Sequence, residues 1–231
     1  MNGLLARNNF PARMLPTTPT SQITIAPHVL LDGRLALFHE RERWLAVADL
    51  HFGYELSQRA AGRLMPLWGM TSIEARLDQL LADYSPRQLL IVGDLVHDRA
   101  SASAAADLLA RLRTRCEVVA LAGNHDRHVA HAIAFEPRWE TPEFIFQHGH
   151  CEADPAPGRI QIIGHHHPAA HLTDGAGLRL KLPAFVQQES CWILPAFSPW
   201  AGGVTWPDDG ESRIWLCTPR RILRVDRAAA L

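Results

Sequence analysis

The amino-acid sequence predicts an α/β protein in which two packed β-sheets carry helices on their outer sides. Strand and helix patterns alternate through the middle of the chain, an order typical of parallel strands joined by right-handed connections. The segments before and after this middle have mainly β-type patterns, with short alternating apolar runs and turn residues. The β-rich ends therefore predict a second sheet beside the first.

The elements follow from local patterns. Asp32-Gly33 separates two apolar runs and predicts a hairpin. Thr71 and Glu74 form a capping-box pattern, and apolar residues recur at helical spacing as far as Tyr84, so a helix is predicted over 71–84. A second helix is predicted over 103–115. Later strands are predicted over 178–182, 191–194, 213–217 and 222–225.

Composition limits the classes of protein that are possible. The chain has 231 residues, of which 47% are hydrophobic and 20% charged, values that are ordinary for a water-soluble globular protein. We expect one domain over 21–231, preceded by a poorly ordered, proline-containing arm over 1–20. The formal net charge of −1 gives no global basic field.

The cellular setting is predicted from what the sequence lacks. Four cysteines are far apart and form no CxxC pair, which suits a reducing cytoplasm. No apolar stretch reaches the roughly 18 residues that a membrane span needs, so no membrane association is expected. The sequence leaves the oligomeric state open.

Five apolar runs each end in aspartate, asparagine or histidine, the side chains that hold divalent transition metals. The central run, Gln88 to Val92, ends in Gly93-Asp94, at the strand end where open α/β sheets bind ligands. The chain has thirteen histidines, which crowd between Leu121 and Leu172. The five endings are Asp49-Leu50-His51, Gly93-Asp94, Gly123-Asn124-His125-Asp126, His148-Gly149-His150 and Gly164-His165-His166-His167. The pattern predicts a metal site at one edge of the sheets.

The ordered set of motifs from Asp49 to His167 resembles the calcineurin-like metallophosphoesterases. The resemblance implies a four-layer αββα sandwich of two mixed β-sheets flanked by helices, with two metal ions at the strand ends and hydrolysis of phosphoesters. It places Asp94 between the two ions. The first ion would be held by Asp49, His51, Asp94 and His167, and the second by Asp94, Asn124, His148 and His165.

Physical chemistry supports a shared carboxylate in such a site. Two divalent ions ~3.5–4 Å apart repel each other strongly, and an anionic oxygen between them reduces the repulsion. Mixed imidazole, carboxylate and amide ligands suit Mn, Fe or Zn, and we expect Mn. A hydroxide held by both ions is expected to attack phosphorus.

Four residues near these ligands are candidates for contact with substrate. The resemblance makes His125 the general acid for the leaving group. Asp126 is predicted either to hydrogen-bond the ring of His125 or to cap a helix that begins near Arg127. His97 and Asn124 are predicted to bind substrate, although a plain loop role is open for His97. The other histidines are expected in outer positions: His28, His39, His128, His131, His150, His166 and His171.

A narrower resemblance is to the bacterial ligase-associated, PdeM-like metallophosphoesterases. It rests on the segments 47–53, 93–97 and 164–168 and on a tail over 193–203, which either closes the second sheet or lines the pocket through Phe197, Trp200 or Gly202. Here Tyr54-Glu55 stands where relatives have a lysine, a change for which Arg59 or Arg63 could compensate.

This resemblance implies a phosphodiesterase or nuclease acting on DNA or RNA, with a link to DNA repair and to proteins of the DNA ligase pathway. The basic residues on the second predicted helix and near the C-terminus are expected to be solvated, so a long DNA track is not predicted. Two alternatives are a phosphodiesterase or phosphatase for a small nucleotide-like substrate and a non-catalytic scaffold.

Overall fold

The protein forms two mixed β-sheets that pack face to face and carry helices. The computed structural model describes residues 21–151, 157–173, 176–207 and 209–225. The arm predicted over residues 1–20 lies outside the described residues. No described helix has both the length and the apolar character that crossing a membrane requires.

The first sheet has six strands in the order β1-β2-β3-β4-β5-β6. The strands β1 to β4 run antiparallel, and β5 and β6 then add in parallel, as the alternating middle of the chain predicts. The bounds are β1 Gln22–Ala26, β2 Val29–Asp32, β3 Ala36–His39, β4 Trp44–Ala48, β5 Gln88–Val92 and β6 Glu117–Ala120.

Over the described residues, the second sheet has nine strands, seven of them in the order β13-β10-β11-β12-β9-β8-β7, while β14 pairs with β11 and β15 with β14. The strand β9 runs parallel to β8 on one side and to β12 on the other, whereas β7 pairs antiparallel with β8 and β11 pairs antiparallel with β12. The bounds are β7 Trp139–Glu140, β8 Phe144–Gln147, β9 Ile160–Ile163, β10 Pro168–Thr173, β11 Arg179–Gln187, β12 Cys191–Ile193, β13 Val204–Thr205, β14 Arg213–Thr218 and β15 Arg221–Arg224. Two mixed sheets with helices confirm the predicted fold class.

The main core lies between the sheets. Trp44 of the first sheet is fully buried and meets the rings of Phe144 and Phe146 of the second sheet edge-on, with centroids 5.5 and 5.0 Å apart. Along β11, Phe185 belongs to this core, whereas Ala184 and Val186 belong to a smaller cluster on the opposite face. This alternation is the period of a strand with apolar cover on both sides.

In the described part of the chain, three α-helices connect the strands: α1 Tyr54–Ala60, α2 Trp68–Tyr84 and α3 Ala102–Arg113. The apolar stripe of α2 packs into the main core, and Tyr84 at its end stacks on Phe38 with ring centroids 4.4 Å apart. The capping-box prediction at Thr71 is wrong, because α2 already begins at Trp68 and has no side-chain hydrogen bond from its own N-cap, Leu67.

The predicted hairpin at Asp32-Gly33 is present, and the structure gives Asp32 a further role. The Asp32 carboxylate is 1% exposed, accepts a hydrogen bond from Tyr84 Oη at 2.7 Å and pairs with Arg34 at 2.7 Å. Burial alone would raise the pKa of Asp32, but the hydrogen bonds from Arg34 and Tyr84 outweigh it and lower that pKa. The turn is thus tied to the end of α2.

Candidate metal centre

The predicted ligands come together where the two sheets meet. Asp49 and His51 follow β4, and Asp94 follows β5, its parallel neighbour. The tail of the chain joins the sheets at the same place, because Ala48 pairs with Ala196 and the Ala48 carbonyl accepts a hydrogen bond of 2.8 Å from the Phe197 amide. The strand ends therefore form one edge, as the motifs predict.

Five of the seven predicted ligands have a left-handed backbone. Their φ angles are 53° for Asp49, 42° for His51, 45° for Asp94, 67° for His165 and 45° for His167. Residues with a Cβ lose roughly 1–2 kcal/mol in this conformation. The His51 amide donates to the Asp94 carbonyl at 2.9 Å, one of the hydrogen bonds that hold this loop geometry.

Glycines make room for the ligands. Gly93 has a φ of 76°, and a Cβ there would overlap the His148 imidazole. A Cβ on Gly123 would overlap both the carboxylate and the backbone of Asp94. The glycines that precede the ligands in the motifs are therefore required by close approach as well as by turn geometry.

The first group of candidate ligand atoms belongs to Asp49, His51 and His167, and these atoms all lie within 4.8 Å of one another. The Nε2 atoms of His51 and His167 are 3.3 Å apart, and Nε2 of His167 is 3.7 Å from Asp49 Oδ2. Burial lowers the pKa of His51 to about 3, against the opposing charge of Asp94. His51 is therefore neutral at physiological pH and retains a ring lone pair for a cation.

The second group belongs to Asp94, His148 and His165. Nε2 of His148 is 3.3 Å from Asp94 Oδ2 and 3.0 Å from Asn124 Oδ1. Asp94 also lies 3.8 Å from Nε2 of His51, so it reaches both groups. Burial would lower the pKa of His148, but the hydrogen bond and charge of Asp94 raise it; the same pair lowers the pKa of Asp94 to about 2 despite burial.

These distances fit metal coordination. An ion with bonds of about 2.1 Å in tetrahedral to octahedral geometry separates neighbouring ligand atoms by about 3.0–3.4 Å. The spacing of 3.3 Å between His51 and His167 and that of 3.0 Å between His148 and Asn124 fall in that range. In addition, the buried Nδ1 of His51 has no hydrogen-bond partner among the described residues. The donor types and their spacing both suit divalent transition metals.

His97 and His125 lie beside the first group. Their rings stack with centroids 5.1 Å apart, and both come close enough to His51 to form a third cluster of ligand-type atoms. Nδ1 of His125 is 2.9 Å from the His97 carbonyl, which can only accept, so Nδ1 carries a proton and donates it. Nε2 of His125 is left for the pocket.

The predicted hydrogen bond between Asp126 and the His125 ring is wrong. Asp126 Oδ2 accepts from the amides of Gly123 at 2.9 Å and Leu95 at 3.3 Å, and Oδ1 accepts from the Val96 amide at 3.1 Å. The helix-cap alternative is also wrong, because the short 3-10 turn over 126–128 has no side-chain cap. Asp126 instead ties the loop after β5 to the loop after β6.

A pocket of about 210 Å³ opens over the first group. It contains Trp200, so part of the tail lines the site, whereas Phe197 is fully buried in the core and Gly202 lines an adjoining cleft. Its lining residues are His51, Tyr54, His97, His125, His167, Ser198, Trp200 and Ala201. Among the described residues that line this pocket, neither Arg59 nor Arg63 replaces the missing lysine.

Glu55 holds the pocket wall in place, a role that its sequence position beside Tyr54 did not predict. It is 1% exposed; Oε1 accepts from the Met70 amide at 2.7 Å and Oε2 accepts from Trp200 Nε1 at 3.0 Å. Met70 lies in the first turn of α2, where amides have no partner within the helix. One carboxylate from α1 thus caps α2 and orients Trp200.

Two further histidines of the motifs lie at the rim. His166 is exposed and packs against Trp206, with ring centroids 6.0 Å apart. His150 is exposed, and its ring centroid is 5.2 Å from that of His148. His39 departs from expectation, because it is buried at 3% exposure between Trp44 and Phe144.

Comparison with known proteins places this fold and site in a family. The family model for the calcineurin-like phosphoesterase matches residues 43–183. The crystal structure of nuclease MPE from Pseudomonas putida is similar at 32% sequence identity and a TM-score of 0.68, over 85% of this chain and 94% of that one. No match was found among curated proteins. The chain belongs to the calcineurin-like phosphoesterase family and is a metal-dependent phosphoester hydrolase.

Proposed function

We propose that this protein is a binuclear, metal-dependent phosphodiesterase of the nuclease type. The observation that carries the proposal is that the two groups of candidate ligand atoms meet at one carboxylate, Asp94. The first ion is assigned to Asp49, His51, Asp94 and His167, and the second to Asp94, Asn124, His148 and His165. Mn is the proposed metal, with Fe or Zn as alternatives.

When bound, the ions would activate water and offset negative charge on the phosphoryl oxygens. The protein supplies orientation and a proton. The His97 carbonyl fixes the tautomer of His125, so that Nε2 faces the pocket and, when protonated, donates to the leaving oxygen. Asp126 is a positioning residue here, since its carboxylate holds both loops that carry these histidines.

A nucleic-acid substrate is supported by the walls of the pocket. Tyr54 and Trp200 line it, and Trp68 packs against Trp200 with ring centroids 4.4 Å apart and an angle of 40° between the ring planes, while remaining 49% exposed. Exposed aromatic faces beside a cleavage site favour stacking of nucleobases. The similarity to a nuclease points the same way.

The finer assignments belong to the same proposal. We place the chain in the ligase-associated, PdeM-like group, with a role in DNA repair beside proteins of the DNA ligase pathway. The tail that carries Trp200 supports this placement, because it is the most distinctive part of the resemblance. We also propose one catalytic domain over residues 21–231 and a cytoplasmic location, which four free cysteines support.

Metal depletion and reconstitution test the core of the proposal. After chelation, hydrolysis of bis(p-nitrophenyl) phosphate should cease, and Mn should restore it better than Mg or Ca, with two ions per chain by elemental analysis. A matched aryl monoester, assayed in parallel, should be hydrolysed more slowly. Full hydrolysis of the diester after exhaustive chelation would show that the site does not work through metal.

A further inference from the structure

A groove leads away from the pocket along the tail of the chain. The pocket over the centre shares His167 and Ala201 with a small cleft that also contains Lys181. That cleft shares Leu182, Pro183 and Ala201 with a cleft of about 300 Å³ that contains Arg76. We call these two adjoining clefts together the side groove, defined by Arg76, Lys181, Leu182, Pro183, Ser198 and Ala201.

Arg76 places a positive charge in the side groove. Its Nη1 donates to the Phe197 carbonyl at 2.9 Å, and its guanidinium carbon lies 4.6 Å from the centre of the Phe197 ring. Among the residues that the structure describes, no carboxylate pairs with Arg76. A guanidinium has five N–H donors, so most of its capacity remains for another acceptor.

Other arginines of the region differ in this respect. Arg34, in the same cleft, forms ion pairs with Asp32 at 2.7 Å and Asp83 at 2.6 Å. Arg111 of α3 and Arg115, two residues after that helix, pair with carboxylates of α2 at 2.8 and 2.7 Å. The absence of such a partner within the described chain therefore distinguishes Arg76 from its neighbours.

Lys181 supplies a second cation, in the small cleft that adjoins both the pocket and the cleft of Arg76. Its Nζ donates to the Gly203 carbonyl at 2.6 Å, and within the described ranges it too lacks a carboxylate partner. Both cations border the tail segment that also closes the pocket through Ser198 and Ala201. Two cations in clefts that adjoin a phosphoester-hydrolysing centre suit a second phosphate group.

We infer that the side groove binds a phosphate next to the scissile one on the substrate strand, with Arg76 and Lys181 as its ligands. The inference rests on the proposed function and deepens it. Substrates with at least two backbone phosphates are then preferred, and cleavage occurs at a fixed distance from the phosphate in the groove. Guanidinium binds phosphate through paired N–H donors, whereas ammonium acts as a point charge.

The test compares substrates that reach the side groove with one that does not. The Mn-loaded parent, Arg76→Met and Arg115→Met are assayed on a thymidine tetranucleotide and on bis(p-nitrophenyl) phosphate. Arg115→Met removes the same charge from an exposed ion pair outside the groove. In Arg76→Met, the tetranucleotide-to-aryl-diester ratio of kcat/KM should fall roughly 10- to 100-fold, the scale for one charge-assisted hydrogen-bond contact.

Each outcome decides the inference. An unchanged ratio in Arg76→Met, or equal losses on both substrates, overturns it. If Arg76→Met changes only the inhibition by inorganic phosphate and leaves the ratio unchanged, the groove binds a free anion. That result overturns the assignment of the groove to a phosphate of the substrate. If Arg76→Met does not fold, Lys181→Met at an exposed position decides by the same ratio. Failure of the parent to hydrolyse the aryl diester counts against the proposed function instead.

Discussion

Replacing Asp126 with alanine should lower the free energy of unfolding, because the Asp126 carboxylate holds two loops together. The carboxylate is 2% exposed and accepts hydrogen bonds from the amides of Leu95, Val96 and Gly123. Its removal leaves three buried donors without acceptors. Each costs about 1–3 kcal/mol, and water that enters the vacated space recovers part of the loss, so the free energy of unfolding should fall by about 3–6 kcal/mol.

The size of this loss makes it measurable. For a chain of 150–250 residues, each kcal/mol moves the melting temperature by about 2–4 °C, so a decrease of roughly 6–24 °C is expected. Thermal and urea unfolding of the metal-depleted protein measure the effect without a contribution from bound metal. Asp126→Asn is the matched control: it keeps one acceptor oxygen and should lose a smaller part of the stability.

One result would refute this account of Asp126. If Asp126→Ala melts within about 2 °C of the parent, the loop bonds contribute little. If that stable variant also loses activity mainly on substrates with poor leaving groups, then Asp126 acts on the His125 ring.

Three further predictions concern the site and the core. Asp94→Ala should lose at least one ion and more activity than His51→Ala, because Asp94 reaches both groups; retention of two ions by Asp94→Ala alone would contradict the bridge. His125→Asn should keep both ions by elemental analysis and lower turnover roughly 10²- to 10⁴-fold, least for a nitrophenolate leaving group; equal loss across a leaving-group series would show charge stabilisation instead. Because the fold lowers the pKa of Asp32 from 3.8, its contribution to stability should be present above pH 4 and lost as pH falls through the lower folded value. Urea midpoints measured from pH 7 to pH 2 should therefore fall less for Asp32→Asn than for the parent; parallel curves would exclude this role.

The sequence predicted the features that depend on neighbouring residues. Apolar runs that end in ligand-type side chains located the sheet edge around Asp49, Asp94 and His148, because parallel strands align their carboxyl ends. The hairpin at Asp32-Gly33 and the body of α2 follow from short-range turn and helix patterns. In each case the decisive signal lies within a few residues of the element.

The features that the sequence missed depend on distant partners. The start of α2 was misplaced because the acceptor for the Met70 amide is Glu55, 15 residues earlier. The partners of Asp126 in the loop after β5 are 30 and 31 residues away. Both predictions for Asp126, a bond to the neighbouring His125 ring and a local helix cap, considered only nearby residues and therefore could not reveal them. Histidine spacing likewise could not place His39 among aromatic rings of two different sheets.

The left-handed backbone at the ligand positions sets a conflict between stability and activity. At His51, His165 and His167, glycine would relieve the local strain of the metal-depleted chain while removing a ligand. Selection for thermal tolerance alone would thus drive these positions away from metal binding, and only selection for catalysis retains histidine there. A lineage released from that selection should lose its imidazoles at these turns before it loses the sheets that support them.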